Sequence, residues 1–232
     1  ISGNVIIEMG AAVTTDDFFG SPTIRAAVPG IERFAANVAS PPIRSRATLA
    51  GNIANASPIA DMTAMLLALG ARLVLEGDPG GERLVDLSGF FLGYKKIDLK
   101  SGERIRGIMI PGEPVLFNFE KAAKRARLDI ATVNTALAVV TAPDGTIASA
   151  RYAAGGIAPT PLRLVDIENL LTGSRPSADL AREAGRLAAN SGSPIDDVRG
   201  SSEYRRRLME RLTWAHCIRL WPELKLEEEL LS

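Results

Sequence analysis

At 232 residues, 46% of them hydrophobic, the chain is long enough to bury a real core in one large domain or two small ones. Its 27 Lys and Arg balance its 27 Asp and Glu, so nothing in the charge points to nucleic acid or a membrane surface. One cysteine, Cys217, and one histidine, His216, exclude an internal disulfide, an iron–sulfur cluster and a cysteine or multi-histidine metal site held by this chain alone. The cysteine usage fits a reducing compartment, and no signal peptide or membrane-spanning apolar run is seen, so a cytoplasmic protein is expected.

In chain order, residues Asn4 to Val13 read as a strand, and Thr14-Thr15-Asp16-Asp17 caps a short helix. Two more short helices are expected over Ser21–Ala27 and Gly30–Val38, separated by Pro29. Pro41-Pro42 is expected to stop regular structure and aim the chain into a loop. After Pro58 a mostly apolar helix continues to Leu69 and ends at Gly70. Ala71–Glu76 alternates like a strand, Asp78-Pro79-Gly80-Gly81 turns, and Glu82–Leu87 returns as its partner. Ile105–Ile110 is a further strand, stopped by Pro111. Strands over Phe117–Ala122 and Asp129–Thr141 follow, with Pro143-Asp144-Gly145 turning the chain into Thr146–Ala154. Helices are then expected over Leu164–Leu171, Ser177–Asn190 and Ser202–Leu220, the last with Tyr204, Leu208, Leu212 and Ala215 on its apolar face. The pattern is α+β: a small mixed sheet with helices over 1–113, then an antiparallel sheet with helices on one face over 114–232.

The most unusual stretch is Thr48 to Asp61, T-L-A-G-N-I-A-N-A-S-P-I-A-D, preceded by Arg44 and Arg46. No charged side chain lies between Arg46 and Asp61, and most residues are small. As a loop it would let backbone N–H groups gather round an anion, with Gly51 free to take positive φ. Ser57-Pro58 reads as the start of the next helix, its dipole facing the loop. Phosphate binding and simple close packing explain the composition equally well, and no Walker or G-x-G-x-x-G spacing is present.

Ile43, Arg44, Ser45, Ala47, Thr48, Gly51, Asn52, Ile53, Ala56, Ser57, Pro58 and Asp61 together resemble a longer pattern, close to I-R-N-x-A-T-x-G-G-N-I-x-x-A-S-P-x-x-D. This is the flavin loop of the FAD subunit or domain in the xanthine dehydrogenase and carbon monoxide dehydrogenase family of molybdenum hydroxylases. Phe90-Phe91-Leu92-Gly93-Tyr94-Lys95 resembles the family's F-F-x-G-Y-R-K, although an aromatic cluster closing the core explains Phe90 and Phe91 as well. Family members carry an upstream glycine-rich loop that nothing in residues 1–47 resembles. Since the chain begins with Ile1, a fragment or a missing beginning is expected. Ala50 stands where the family has the first glycine of a pair, which implies strain if that position needs positive φ.

The resemblance implies FAD as cofactor, cradled by Ala47, Thr48, Leu49, Ala50, Gly51, Asn52, Ile53, Ala54 and Ser57, with Asp61 hydrogen-bonding it. It also implies a contact from Lys121 and places Asp129-Ile130 near the isoalloxazine. Read without it, Lys121, Lys124, Arg125 and Arg127 form a solvated basic edge. Ile105 would lie against the flavin or adenine, or serve as ordinary strand core; Val38 is a weaker case of the same kind. His216 and Cys217, beside Trp214, are expected to pack near a helix end. No nucleophile–base pair stands out, as suits a flavoprotein in which the cofactor does the chemistry.

The implied function is an FAD-binding oxidoreductase subunit. It would pass electrons from 2Fe–2S clusters on a small partner, fed by a molybdopterin-binding large subunit, to NAD⁺ or another acceptor, in a heterotrimer. The alternative is a non-catalytic assembly module that has lost firm flavin binding, motivated by Ala50 and the absent upstream loop. A stand-alone FAD oxidoreductase is disfavoured, since no substrate-pocket motif is recognisable.

Overall fold

The computed structural model describes residues 5–77 and 80–231; Asn4 of the expected first strand and Asp78-Pro79 of the expected turn lie outside them. The chain opens with strand β1 (Ile6–Gly10) and helices α1 (Thr15–Gly20) and α2 (Pro22–Ala27). Thr14 and Asp17 form a full capping box on α1, and Ser21 caps α2 with Pro22 in its first turn. The helix expected over 30–38 is a 3₁₀ helix at Ile31–Asn37. Pro41-Pro42 does not stop regular structure: it opens the short helix α3 (Pro41–Arg44), where a missing N–H costs nothing.

The stretch after Thr48 is not an open loop. Leu49–Ala54 forms helix α4, whose N-cap Thr48 accepts the Gly51 N–H on Oγ1 at 3.0 Å. Leu49 and Ile53 are fully buried, so tertiary packing holds a helix too short to be stable alone. Leu49 N–H goes to the Val13 carbonyl, Gly51 N–H to Thr48 Oγ1, Asn52 N–H to the Thr48 carbonyl and Asn55 N–H to the Gly51 carbonyl, so these amides are not free to gather round an anion. Neither Gly51 nor Ala50 has positive φ, and the strain expected at Ala50 is absent; Ala56, just beyond the helix, turns the chain at φ 46. Ser57-Pro58 is likewise not a helix start. Helix α5 (Asp61–Ala68) begins three residues later, with Ala60 at its N-cap and no side-chain cap.

Strands β2 (Arg72–Gly77) and β3 (Gly81–Asp86) are the expected hairpin pair. Helix α6 (Leu87–Phe90) and a two-strand ribbon, β4 (Phe91–Gly93) with β5 (Lys96–Ile97), lead to β6 (Arg104–Pro111). The first sheet runs β1-β6-β2-β3; every described pairing in it is antiparallel, where a mixed sheet was expected. Phe90 is buried edge-to-face on Phe91, the aromatic closure of the core that the sequence offered.

Strands β7 (Leu116–Ala122), β8 (Val133–Thr141), β9 (Ile147–Gly155) and β10 (Leu162–Arg163) form the second antiparallel sheet, ordered β10-β9-β8-β7. The strand expected from Asp129 begins only at Val133. Helices α7 (Val165–Leu171), α8 (Ala178–Ala189), α9 (Ser202–Leu220) and α10 (Leu226–Leu230) complete the chain. Alternation divides the sheet: Val133, Leu137, Val139 and Tyr152 share a core with α7–α9. Ala136, Ala138 and Ala153 share the other core with α5, so helices cover both faces rather than one. Residues Met62 to Ala68 of α5 are all buried, as a helix apolar all round requires.

The face of α9 differs from the expected one. Arg205, Met209, Thr213, His216 and Cys217 are buried, while Tyr204 is exposed and Leu208, Leu212 and Ala215 are half-buried. The buried face carries polar residues whose partners wait in the sheet: Thr213 meets the Tyr152 hydroxyl at 2.7 Å, and His216 meets Thr135 and Asn118.

Candidate functional site

A cleft of about 1200 Å³ opens at the N-terminal end of α5, lined by residues of both sheets' units. Its polar heart follows from strand register. Lys121 on β7 stands directly opposite Asn134 on β8, and both alternate onto the face that α5 covers. Asp61, the first residue of α5, meets them there: Lys121 Nζ donates to Oδ2 at 2.6 Å and Asn134 Nδ2 to Oδ1 at 2.7 Å. A carboxylate at a helix N-terminus also has the dipole in its favour. Burial pushes the Asp61 carboxyl above its ordinary range, while the Lys121 charge and the hydrogen bonds from Lys121 and Asn134 pull it back. Lys121 spends a second donor on the Asn37 carbonyl at 2.9 Å. Each partner keeps hydrogen-bonding capacity: lone pairs on Asp61 and one N–H on Lys121.

The walls are apolar, with Val38, Ile43, Met62, Leu128 and Ile130 among them. Arg44 pins one wall, donating to the Val38 and Ala39 carbonyls at 3.0 and 3.3 Å and to Asp16 at 2.8 Å. The ribbon tip adds Tyr94 and Lys95; Lys95 Nζ holds the Asn55 carbonyl at 2.6 Å. On the far side Arg205, itself buried, donates to the Thr132 and Gly156 carbonyls and to Asp197. Pro58 and Ile59 lie tight on Gly155, where a Cβ would come within 2.9 Å of the Pro58 carbonyl. Three non-glycine residues that line the cleft, Ala39, Lys95 and Leu128, hold positive φ, and Ala56 does so beside it. Such strain gathers where a site fixes its geometry.

Of the residues singled out in the sequence, Asn52, Ser57, Asp61 and Lys121 line this cleft, as do Val38, Asp129 and Ile130. Leu49, Ala50 and Ile53 lie in the core beneath α4, and Ile105 in the core of the first sheet. Gly51 and Ala54 are exposed outside the cleft, and Ala47 and Thr48 run beside Val13–Thr15 through Thr15 N to Ala47 O and Leu49 N to Val13 O. Sequence reasoning passed over Asn134 and Arg205, and it gave Lys95 and Gly155 no place in the site. The equal parity of Phe117, Phe119 and Lys121 was the one available sign of which way β7 faces.

Residues 3–113 match the family model described as the FAD binding domain in molybdopterin dehydrogenase. Residues 119–218 match the CO dehydrogenase flavoprotein C-terminal domain. The nicotine 6-hydroxylase medium subunit of Paenarthrobacter nicotinovorans is 31% identical over 89% of this chain and 72% of its own length. The chain belongs to the FAD-binding medium subunits of the molybdenum hydroxylases. The carbon monoxide dehydrogenase medium chain of Hydrogenophaga pseudoflava is 30% identical, over 93% of this chain and 77% of that one. The solved carbon monoxide dehydrogenase from the same organism superposes with a TM-score of 0.88 at 29% identity, covering 97% of this chain and 78% of that one. Quinoline 2-oxidoreductase from Pseudomonas putida 86 superposes at 0.85 with 27% identity, covering 97% and 78%.

This flavin subunit is therefore an oxidoreductase component whose cofactor is FAD. The cleft fits that group. It exceeds the roughly 300–1,000 Å³ of ordinary small-molecule pockets, as a dinucleotide needs. Five cations line it (Lys95, Lys121, Arg125, Arg199, Arg205) against three carboxylates (Asp61, Asp129, Asp197), an excess of two that suits a pyrophosphate. Among the described residues no three His, Cys, Asp or Glu gather to hold a metal, and no helix is long and apolar enough to cross a membrane.

Proposed function

We propose that this cleft is the FAD site and that the subunit relays electrons within a larger molybdenum hydroxylase. Asp61 accepts from hydroxyl or amino groups of the cofactor, Lys121 and Asn52 donate to it, and Ser57 closes the turn beside them. Leu49, Ala50 and Ile53 anchor α4 in the core so that Asn52 faces the cleft; Thr48 and Gly51 close its N-cap, and Ala47, Ala54 and Ile105 support from outside. The two units, 1–113 and 114–232, contribute opposite walls. The observation that carries this reading is the buried Asp61–Lys121–Asn134 cluster, with hydrogen-bonding capacity to spare, at the heart of a cationic cleft.

When bound, FAD supplies the redox chemistry; the protein binds it, orients it and sets its electrostatics. Electrons would arrive from 2Fe–2S clusters on a small subunit, fed by a molybdopterin-binding large subunit, and leave to NAD⁺ or another acceptor. Relatives named as medium chains or medium subunits support a place between larger and smaller partners. A chain with one cysteine and one histidine leaves the clusters to others. The alternative, an assembly module without firm flavin binding, gains nothing from Ala50, whose backbone is helical. The test is a visible spectrum of the protein purified from its own cells. Flavin bands with iron–sulfur absorbance and two companion polypeptides are expected; a colourless, solitary protein that also fails to take up added FAD would refute the reading.

A further inference from the structure

Asn52 lines the cleft, but what it offers a ligand depends on which way its amide is turned. The turn is set from behind by Thr63, on the next helix. Thr63 is 1% exposed, and its hydroxyl donates to Asn52 Oδ1 at 3.0 Å. Among the described hydrogen bonds this is the one acceptor for that buried O–H, and leaving it unmade would strand a polar group in the core. The Asn52 oxygen is thus held inward, and its NH₂, with no protein partner among the described residues, keeps two donors.

We propose that Thr63 is a positioning residue for the cofactor: its hydroxyl locks the Asn52 amide so that the NH₂ meets acceptor atoms of FAD. The inference rests on the reading of the cleft as the FAD site. Without the hydroxyl, amide oxygen and nitrogen are nearly equal in shape, and both orientations are populated. The wrong one sets a lone pair against the ligand's lone pairs. Thr63 belongs to α5 and Asn52 to α4, so the bond also ties together the two helices that bound the Asn55–Ala60 turn.

Two substitutions separate this role from packing. Thr63→Val keeps the branched shape and removes the donor; Thr63→Ser keeps the donor and removes the methyl. FAD dissociation constants come from flavin fluorescence on the purified chain, and thermal midpoints from the same chain without FAD. Thr63→Val is expected to weaken FAD binding about twofold, as the competent Asn52 orientation falls to about half of the population. Thr63→Ser is expected to bind FAD as the wild type does, whatever its midpoint. If affinity follows the midpoint in both variants, or Thr63→Val binds normally, the inference fails. Should Thr63→Val not fold, Asn52→Asp, which can accept from Thr63 but has no NH₂ to give, must weaken FAD at least as much; unchanged affinity would overturn the idea. A wild-type chain that takes up no FAD overturns the cleft assignment and this inference with it, whereas normal wild-type binding with unaffected variants overturns the inference alone.

Discussion

His216 makes the fold acid-labile as pH falls below 6.5. It lies fully buried on α9, and burial pushes its pKa down from 6.5 to about 3. Its surroundings hold it neutral. Asn118 Nδ2 faces both the Glu120 carboxylate at 2.8 Å and His216 Nδ1 at 2.9 Å. A carboxylate only accepts, so that atom of Asn118 is its NH₂, and Nδ1 must accept from it. Nε2 then carries the proton and donates to Thr135 Oγ1 at 2.8 Å. Protonating Nδ1 would set donor against donor. Above pH 6.5 both folded and unfolded chains hold the ring neutral, and the stability is complete. As pH falls below 6.5 the unfolded chain takes up a proton that the folded chain refuses until about 3. Stability drains at about 1.4 kcal/mol per pH unit at most, so on the order of 2 kcal/mol goes between pH 6.5 and 4.5. That is a large part of the roughly 5–15 kcal/mol a domain possesses. Urea midpoints of the wild type and His216→Gln, followed by tryptophan fluorescence from pH 7.5 to 4.5, test it. The variant starts lower, having lost the edge-to-face contact with Tyr152, and the two curves converge as pH falls. Asp61 acts with the opposite sign, since a raised carboxyl pKa favours the folded state on acidification, but its contribution is common to both curves and cancels. Curves that stay parallel would refute the argument.

Asp61→Asn is expected to weaken FAD binding about tenfold or more, the scale of a lost charged hydrogen bond. Lys124→Ala, whose Nζ serves the Val198 carbonyl outside the cleft, should change it far less; equal losses in a fluorescence titration would misplace the site. Ala50→Gly relieves no strain, because Ala50 is helical, and should cost about 1 kcal/mol in urea unfolding without tightening FAD. Cys217 is buried, and burial pushes its thiol up to about 12, so Ellman's reagent should label it only after unfolding; rapid labelling of the native chain would contradict the packing of α9.

Local signals were legible, and non-local ones were not. Thr14 and Ser177 cap the helices they precede, and Asp144-Gly145 turns β8 into β9, since each depends on residues a few positions apart. The stretch from Thr48 to Asp61 misled because its small, uncharged residues look the same in a loop as in a helix. What decides for α4 is the core waiting for Leu49 and Ile53, which lies elsewhere in the chain. The same limit governs the site. Asp61 and Lys121 stood out through the family pattern, but neither the pattern nor the alternation of β7 could name Asn134. Its place opposite Lys121 exists only once β7 and β8 have settled their register. A slip of one residue would turn Lys121 toward α9 and leave Asp61 buried without its cation, an arrangement costing several kcal/mol. The register that closes the core is therefore also the one that assembles the polar heart of the cleft, and the hydrophobic alternation of Phe117 and Phe119 enforces both at once.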